Sequence, residues 1–335
     1  MKDFQNYSLK AHNTFGIDVC CRRFVEYDSC EEAAGIARLI AEPFLIIGGG
    51  SNLLLTRDYD GTVVRSAIRG WEVVEEQGDD VLVRVGSGEE WDAMVERFVS
   101  NGWHGAENLS LIPGDVGASA VQNIGAYGVE AGELIEQVEA VRVGSGEKVV
   151  IPSASCQYGY RQSRFKHDWK NHYLITHVVY RLSRKFNPRL DYGNIRAELT
   201  RKNIVMPTAE QLRQTIIAIR QEKLPDPKVE GNAGSFFMNP VVSRQKFEAL
   251  LSEHPQMPHY TVDAEHEKIP AGWLIDQCGW KGRSMGRAGV HARQALVLVN
   301  RGGATGREVV GLCEAIRSDV LAKFGISIVP EVNII

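Results

Sequence analysis

Hydrophobic and polar positions along this chain alternate between two periods, and the switches mark its elements. Residues 31–42 carry apolar side chains at helical spacing and predict a helix. The apolar run 44–47 predicts a short buried strand that ends in a glycine turn, and residues 53–55 and 62–66 predict two more strands. The first 70 residues therefore read as a small α/β unit. From about 71 to 205 strands dominate: 81–85 and 136–143 alternate as half-buried strands do, and 172–181 is another. A heptapeptide, Val-Arg-Val-Gly-Ser-Gly-Glu, occurs at 83–89 and again at 141–147. Two similar strand-ending glycine turns account for it without an internal repeat.

A helix over 208–221 opens on a Thr208/Gln211 capping box and puts Leu212, Ile216 and Ile219 on one face. Pro225 and Pro227 stop it and place a domain boundary nearby. The last third is α/β again. Its clearest helix starts at Thr305 with Glu308 completing a box. Val309, Cys313, Ile316, Val320 and Phe324 follow at three- and four-residue spacing, and Gly325 stops it. The apolar run 326–335 predicts a terminal strand.

Composition narrows the classes. A chain of 335 residues is long for a single core. A net charge of −4 gives no basic footprint, which argues against nucleic acid as a partner but leaves room for a locally basic pocket. The N-terminus has no apolar leader core, and no run approaches about 18 apolar residues, so a cytoplasmic chain without membrane contact is expected. Six cysteines form no C-x-x-C pair and read as free thiols. His167, His172 and His177 recur every five residues, which alternates strand faces, so no metal site is expected.

Candidate chemistry lies in the glycine segments. Ile47-Gly48-Gly49-Gly50-Ser51-Asn52 joins two apolar strands, and consecutive glycines let backbone N–H groups approach a pyrophosphate. A plain tight turn is the other reading. Gly86 and Gly88 lead to Trp91 where a dinucleotide fingerprint needs its third glycine. The segment Pro113–Gly128 is rich in small residues after Asp115, a candidate helix cap. It suits a flat ligand near a helix N-terminus, or close helix–strand packing. Ser235 lies between Gly234 and two phenylalanines; it reads as a turn serine or a buried hydroxyl donor, and Ala233 and Phe237 break the hydrolase elbow. Glu331 is the one charged side chain in the terminal apolar run: buried, its pKa would rise; on an edge, it would be ordinary. Tyr158–Lys166 is a cationic aromatic cluster, a solvated strand end or an anion site whose Arg161 can fork onto a carboxylate.

Taken in order, several segments resemble the UDP-N-acetylenolpyruvoylglucosamine reductase (MurB) family. They are His12–Phe15, Gly48–Leu55, Pro113–Gly128, Tyr160–Lys166, Lys223–Pro240, Pro270–Gly279, His291–Asn300 and Val329–Asn333. Leu190-Asp191-Tyr192-Gly193 resembles the subtype that closes a tyrosine over substrate. The resemblance implies an α+β chain with a non-Rossmann FAD-binding fold. Two FAD-binding subdomains (1–70 and 71–215) hold the flavin between them, and a C-terminal α/β domain (216–335) binds substrate.

It further implies noncovalent FAD held by Ile47, Gly48, Gly49, Gly50, Ser51 and Asn52, and by Pro113, Gly114, Gly117, Ala118, Ser119, Gln122, Asn123, Gly125, Ala126 and Tyr127. NADPH is the implied reductant and UDP-N-acetylglucosamine enolpyruvate the substrate. Arg161, Ser235 and Glu331 match the catalytic positions, and Tyr127, Tyr160, Tyr192, Arg220, Lys223, Asn239 and Gln294 the substrate contacts. A monomer is expected. Met238 stands where the family often has lysine, with Lys228 as a stand-in. Two rivals are an oxidase of the same flavin fold, many of which attach flavin through His or Cys that Gly48–Asn52 lacks, and a non-enzymatic nucleotide-sugar binder.

Overall fold

The structure is a computed structural model describing residues 1–335. It divides into two compact units. The first comprises Met1–Tyr7, Cys21–Gly49 and Tyr59–Arg220, and the second Ser8–Cys20, Gly50–Asp58 and Gln221–Ile335.

The first unit contains two sheets. In one, Cys20–Tyr27, Tyr59–Ser66 and Phe44–Ile47 run parallel, with Lys2–Ser8 on the edge. The other is antiparallel, in the order Lys148–Pro152, Ile135–Arg142, Tyr173–Ser183, Asp80–Gly86, Trp71–Gln77. Helix α1 (Cys30–Leu39) starts at Ser29, whose side chain accepts from the Glu32 N–H. Its buried face (Ala33, Ala34, Ile36, Ala37) packs with Val25 and Val64 of one sheet and Val141 and Leu174 of the other. The Tyr27 hydroxyl donates to the Ile175 carbonyl at 3.0 Å, a further tie between the sheets. The border expected at residue 70 therefore falls inside one compact unit, because one helix serves both sheets. The border expected near 215 falls close to the change at Arg220/Gln221.

Helix α2 (Trp91–Ser100) places Trp91, Met94, Val95 and Phe98 over Val81, Val83 and Val85, the inward residues of a period-two strand. Each such buried side chain contributes about 1.5–3 kcal/mol. Helices α3 (Val116–Gln122), α4 (Ile195–Arg201) and α5 (Ala209–Lys223) follow. The predicted box opens α5: Gln211 N–H donates to Thr208 Oγ1 at 3.2 Å, and Thr208 N–H to Gln211 Oε1 at 2.9 Å.

The heptapeptide copies differ in the reason for their glycines. Gly144 and Gly146 turn the chain at φ +91° and +70°. At Gly86 and Gly88 a Cβ would meet the carbonyl oxygens of Ile68 and Ser66 at 2.5 and 2.8 Å, so close packing excludes a side chain there.

The second unit holds an antiparallel sheet in the order Gly231–Ser235, Val297–Asn300, Ala288–Val290, Ser284–Met285. A smaller sheet joins Val241–Ser243, His266–Lys268 and Tyr260–Thr261. Helices α6 (Arg244–Glu253), α7 (Ala271–Gln277) and α8 (Gly306–Phe324) complete it. The Thr305/Glu308 box and left-handed Gly325 bound α8 as predicted. The terminal strand predicted over 326–335 is broken in two: Asn333–Ile334 pairs in parallel with Leu53–Leu54, and around Pro330 the chain makes a single bridge to Phe237, with backbone hydrogen bonds linking Val329 and Glu331 to the neighbours of Phe237. Pro330 has no N–H to extend a ladder. No helix is long and apolar enough to cross a membrane.

Candidate active site

In the first unit the two glycine segments meet. A Cβ on Gly48 would lie 3.1 Å from the Ala118 Cβ, and one on Gly49 3.1 Å from Gly114 Cα and from Asp115 Oδ1. Bare backbone is what lets Gly48–Gly49 lie against Gly114–Ala118. In the second unit, Gly50 sits at φ +68°, where a Cβ would fall 2.0 Å from the His12 carbonyl oxygen, and only glycine fits.

The expected anion-binding end of α3 is occupied by protein. Val116 N–H donates to the Glu89 carbonyl and Gly117 N–H to the Ser87 carbonyl, both at 2.8 Å. Asp115 does not cap α3 with its side chain. Its carboxylate faces Arg65 Nη2 at 3.4 Å, and burial raises its pKa against the opposing pull of Arg65.

Three expected cofactor residues are committed to the scaffold. Gly117 is packed on Ser87, where a Cβ would lie 2.9 Å from the Ser87 Cβ. Ser119 Oγ donates to the Val116 carbonyl at 2.7 Å and lies 2.7 Å from the Tyr180 hydroxyl. Asn123 Nδ2 donates to Glu130 Oε2 and the Gly159 carbonyl, and its Oδ1 accepts from Gly132 N–H. Such contacts shape the loop and leave no side-chain group for a ligand. Gly114, Ala118, Gln122, Gly125, Ala126 and Tyr127 are half-buried and Pro113 is exposed, so this stretch keeps an accessible face.

The same unit carries a cationic wall. Gly159 and Gln162 exchange two backbone hydrogen bonds, 3.1 and 2.9 Å, around a two-residue turn. Arg161 occupies its second position at φ +57°, an uncommon conformation for a side-chain-bearing residue. Lys166 Nζ holds its carbonyl at 2.9 Å. Arg161 Nη1 lies over Gly125, 3.5 Å from where a Cβ would be, and the guanidinium carbon is 5.9 Å from the Tyr160 ring centre. Burial lowers the pKa of Arg220. The Tyr127 phenol opposes that shift, and the Arg161 charge adds to it. Arg220 Nε is covered and has no hydrogen-bond partner. Burial raises the Tyr127 phenol, against Arg220. Two guanidinium groups that sense each other in a partly dry wall are relieved by an anion between them. Tyr192 meets Tyr127 edge-on, with ring centres 6.5 Å apart.

In the second unit, Ser235 follows left-handed Gly234 (φ +67°) and lies opposite Val297. The next residue is held on both sides: Phe236 N–H donates to the Leu296 carbonyl, and Glu331 N–H donates to the Phe236 carbonyl, both at 2.8 Å. Met238 N–H continues the pairing to Val329 at 3.0 Å. The sequence-distant Ser235 and Glu331 are thus brought onto neighbouring segments. Ser235 and Glu331 are both half-buried beside the fully buried Phe236 and Phe237, which departs from the deep burial weighed for the glutamate. Asn52 Nδ2 reaches the Glu331 carbonyl at 3.4 Å, and Asn333 donates twice to the Asn52 carbonyl, so the end of the first glycine segment is tied to the glutamate's backbone.

Asn239 Oδ1 accepts from Ala271 N–H at the start of α7, and Gln294 Oε1 from Leu296 N–H. Each amide keeps its NH₂ group as the donor it can offer a ligand. Lys223 is exposed at the end of α5. His177 is held low in pKa by burial and by Arg84, whose Nη2 lies 2.9 Å from its Nδ1, and no three His, Cys, Asp or Glu side chains gather as a metal-binding group. The Arg65 contact to Asp115 escaped sequence reasoning because its residues are far apart in the chain.

Residues 22–151 match the FAD binding domain model, which makes this chain a flavoprotein by class. Residues 226–335 match the model of the UDP-N-acetylenolpyruvoylglucosamine reductase C-terminal domain. The UDP-N-acetylenolpyruvoylglucosamine reductase of Bacteroides fragilis is 56% identical over 333 residues, covering 99% of each chain. That of Chromobacterium violaceum is 48% identical, covering 96% of each. The crystal structure of UDP-N-acetylenolpyruvylglucosamine reductase from Thermus caldophilus superposes with a TM-score of 0.67 at 22% identity, covering 99% of this chain and 98% of the other. This chain belongs to the UDP-N-acetylenolpyruvoylglucosamine reductase family.

Proposed function

We propose that this chain reduces UDP-N-acetylglucosamine enolpyruvate to UDP-N-acetylmuramate, an oxidoreductase step of peptidoglycan precursor synthesis. The observation that supports the site assignment is the backbone pairing of Phe236 with Glu331, which brings the segments that carry Ser235 and Glu331 together on the second unit. Gly48–Gly49 and Gly114–Ala126 offer bare or small-residue backbone suited to a flat cofactor, and neither His nor Cys stands in 48–52 to attach it. Bound FAD supplies the terminal carbon of the enolpyruvyl group with a hydride drawn from NADPH.

The chain's own residues do the rest. Addition at the terminal carbon builds negative charge on the adjacent carbon and its carboxylate. Arg161 binds that carboxylate as a planar fork, and Glu331 helps to stabilise the charge that develops there. Ser235 gives its proton to the adjacent carbon. A serine hydroxyl is a weak acid, but the carbanion is strongly basic, and this offsets the mismatch. Arg220, Tyr127, Tyr160, Tyr192, Lys223, Asn239 and Gln294 bind the sugar nucleotide. Residues 1–70 and 71–215 serve the flavin and 216–335 the substrate. The enzyme works as a monomer in the cytoplasm, without nucleic acid or membrane as partner.

The test is NADPH oxidation under anaerobic conditions with the enolpyruvyl sugar nucleotide and product identification by mass. A product that has gained one hydride and one proton supports the reading. NADPH oxidation that needs no sugar nucleotide and yields no reduced sugar contradicts it.

A further inference from the structure

Asn108 lies in the short turn Glu107–Leu109 and is 3% exposed. Its Nδ2 donates to two carbonyls far from it in sequence, Tyr127 at 2.8 Å and Arg189 at 3.0 Å. One carbonyl is that of Tyr127 itself, and the other lies three residues before Tyr192. Tyr127 is left-handed at φ +50° and is followed by Gly128 at φ +79°. A residue with a side chain holds that conformation only where its surroundings impose it. The Tyr192 Cβ lies 3.5 Å from where a Gly128 Cβ would be.

The Asn108 turn is itself anchored. Glu107 accepts from His104 Nδ1 at 2.9 Å and from Gly105 N–H at 2.8 Å, and Ser110 Oγ donates to the Glu107 carbonyl at 2.6 Å. A second brace joins the same two segments, because Arg189 Nη1 donates to the Gly128 carbonyl at 3.2 Å and pairs with Glu133 at 2.7 Å.

We propose that Asn108 is a positioning residue that sets the spacing of Tyr127 and Tyr192 and through them the affinity for the sugar-nucleotide substrate. The inference rests on the functional reading above. Asn108 holds backbone only, so it acts through the rings and not on the substrate. Removing its amide leaves the Tyr127 and Arg189 carbonyls without their shared donor and frees the Tyr192 segment to drift from Tyr127.

The experiment uses the FAD-loaded enzyme. Substrate dissociation constants are read from the flavin absorbance change, and flavin reduction by NADPH is timed separately, for N108A, R189A, Y192A and the N108A/Y192A double variant. N108A is expected to weaken substrate binding about tenfold, the worth of one well-placed buried hydrogen bond, while flavin reduction stays near the parent's rate. In the Y192A background N108A is expected to add little, since its effect runs through that ring. R189A, an exposed side chain that leaves the core intact, is expected to shift affinity in the same direction but less.

Unchanged affinity in N108A overturns the proposal, as does an N108A effect that persists in full without Tyr192. If N108A does not fold, an unchanged affinity in R189A overturns it. A parent enzyme that binds no sugar nucleotide overturns the functional reading and this proposal with it, which separates the two failures.

Discussion

The role proposed for Ser235 rests on its neighbours. Gly234 turns the chain immediately before it, Phe236 is pinned on both sides, and the Glu331 backbone is the partner on one of them. Replacing Ser235 by Ala should leave flavin reduction by NADPH largely intact and slow flavin reoxidation by substrate roughly a hundredfold, the loss of one placed proton donor. Stopped-flow measurement of the two half-reactions checks this, and equal loss in both would remove the proton-donor role. Glu331→Gln should slow the same second half-reaction, and an unchanged rate would make its carboxyl a bystander. Sequence legibility at this scale was uneven. The residue types at 161, 235 and 331 were readable. That Asn123, Ser119 and Gly117 serve the scaffold was not, because their partners lie at residues 130, 180 and 87 and only folding brings them near.

At the level of elements, local rules did well where local physics decides. Both capping boxes, at Thr208 and Thr305, close as their spacing predicts. Glu308 illustrates the energetics. Its carboxylate accepts from the Thr305 N–H and pairs with Arg287, which holds its pKa down at about 2 against an ordinary 4.5. A depressed pKa stabilises the fold above the unfolded value and loses that contribution as pH falls from 4.5 through 2. E308Q should therefore narrow its stability gap from the parent across that window in urea melts, and a gap independent of pH would contradict the assignment.

Tertiary packing decides elsewhere. The run 326–335 is apolar enough for a strand, yet Pro330 interrupts it. α2 carries Trp91, Met94, Val95 and Phe98 at helical spacing, a signal overshadowed by the glycines before it. α2 and α5 are joined by an ion pair: buried Arg213, 4% exposed, meets both oxygens of the half-buried Asp92 carboxylate at 2.6 and 3.2 Å. Asp92 also accepts from the N–H of left-handed Leu111, just before Pro113. R213M leaves that half-buried carboxylate without its cation, with the Leu111 N–H as its remaining donor, and should cost about 3 kcal/mol in chemical unfolding. A loss under about 1 kcal/mol, the range of exposed pairs, would mean that the pair is effectively solvated.

For the whole molecule, the sequence indicated the order of segments and the fold class, while packing gathers the residues into two compact units. One helix buried against two sheets merges residues on both sides of position 70 into a single unit. A chain read linearly does not reveal that α1 has two partners. The flavin is expected to be noncovalent, since Gly48–Asn52 offers no His or Cys. Acid precipitation should release all the yellow colour, and colour retained on the pellet would contradict it.

The central claim is most directly tested by an anaerobic absorbance spectrum of the FAD-loaded protein, with NADPH added first and UDP-N-acetylglucosamine enolpyruvate second. The account predicts a flavin band that bleaches with NADPH and returns with the enolpyruvyl sugar nucleotide. A band that bleaches and stays bleached would contradict it.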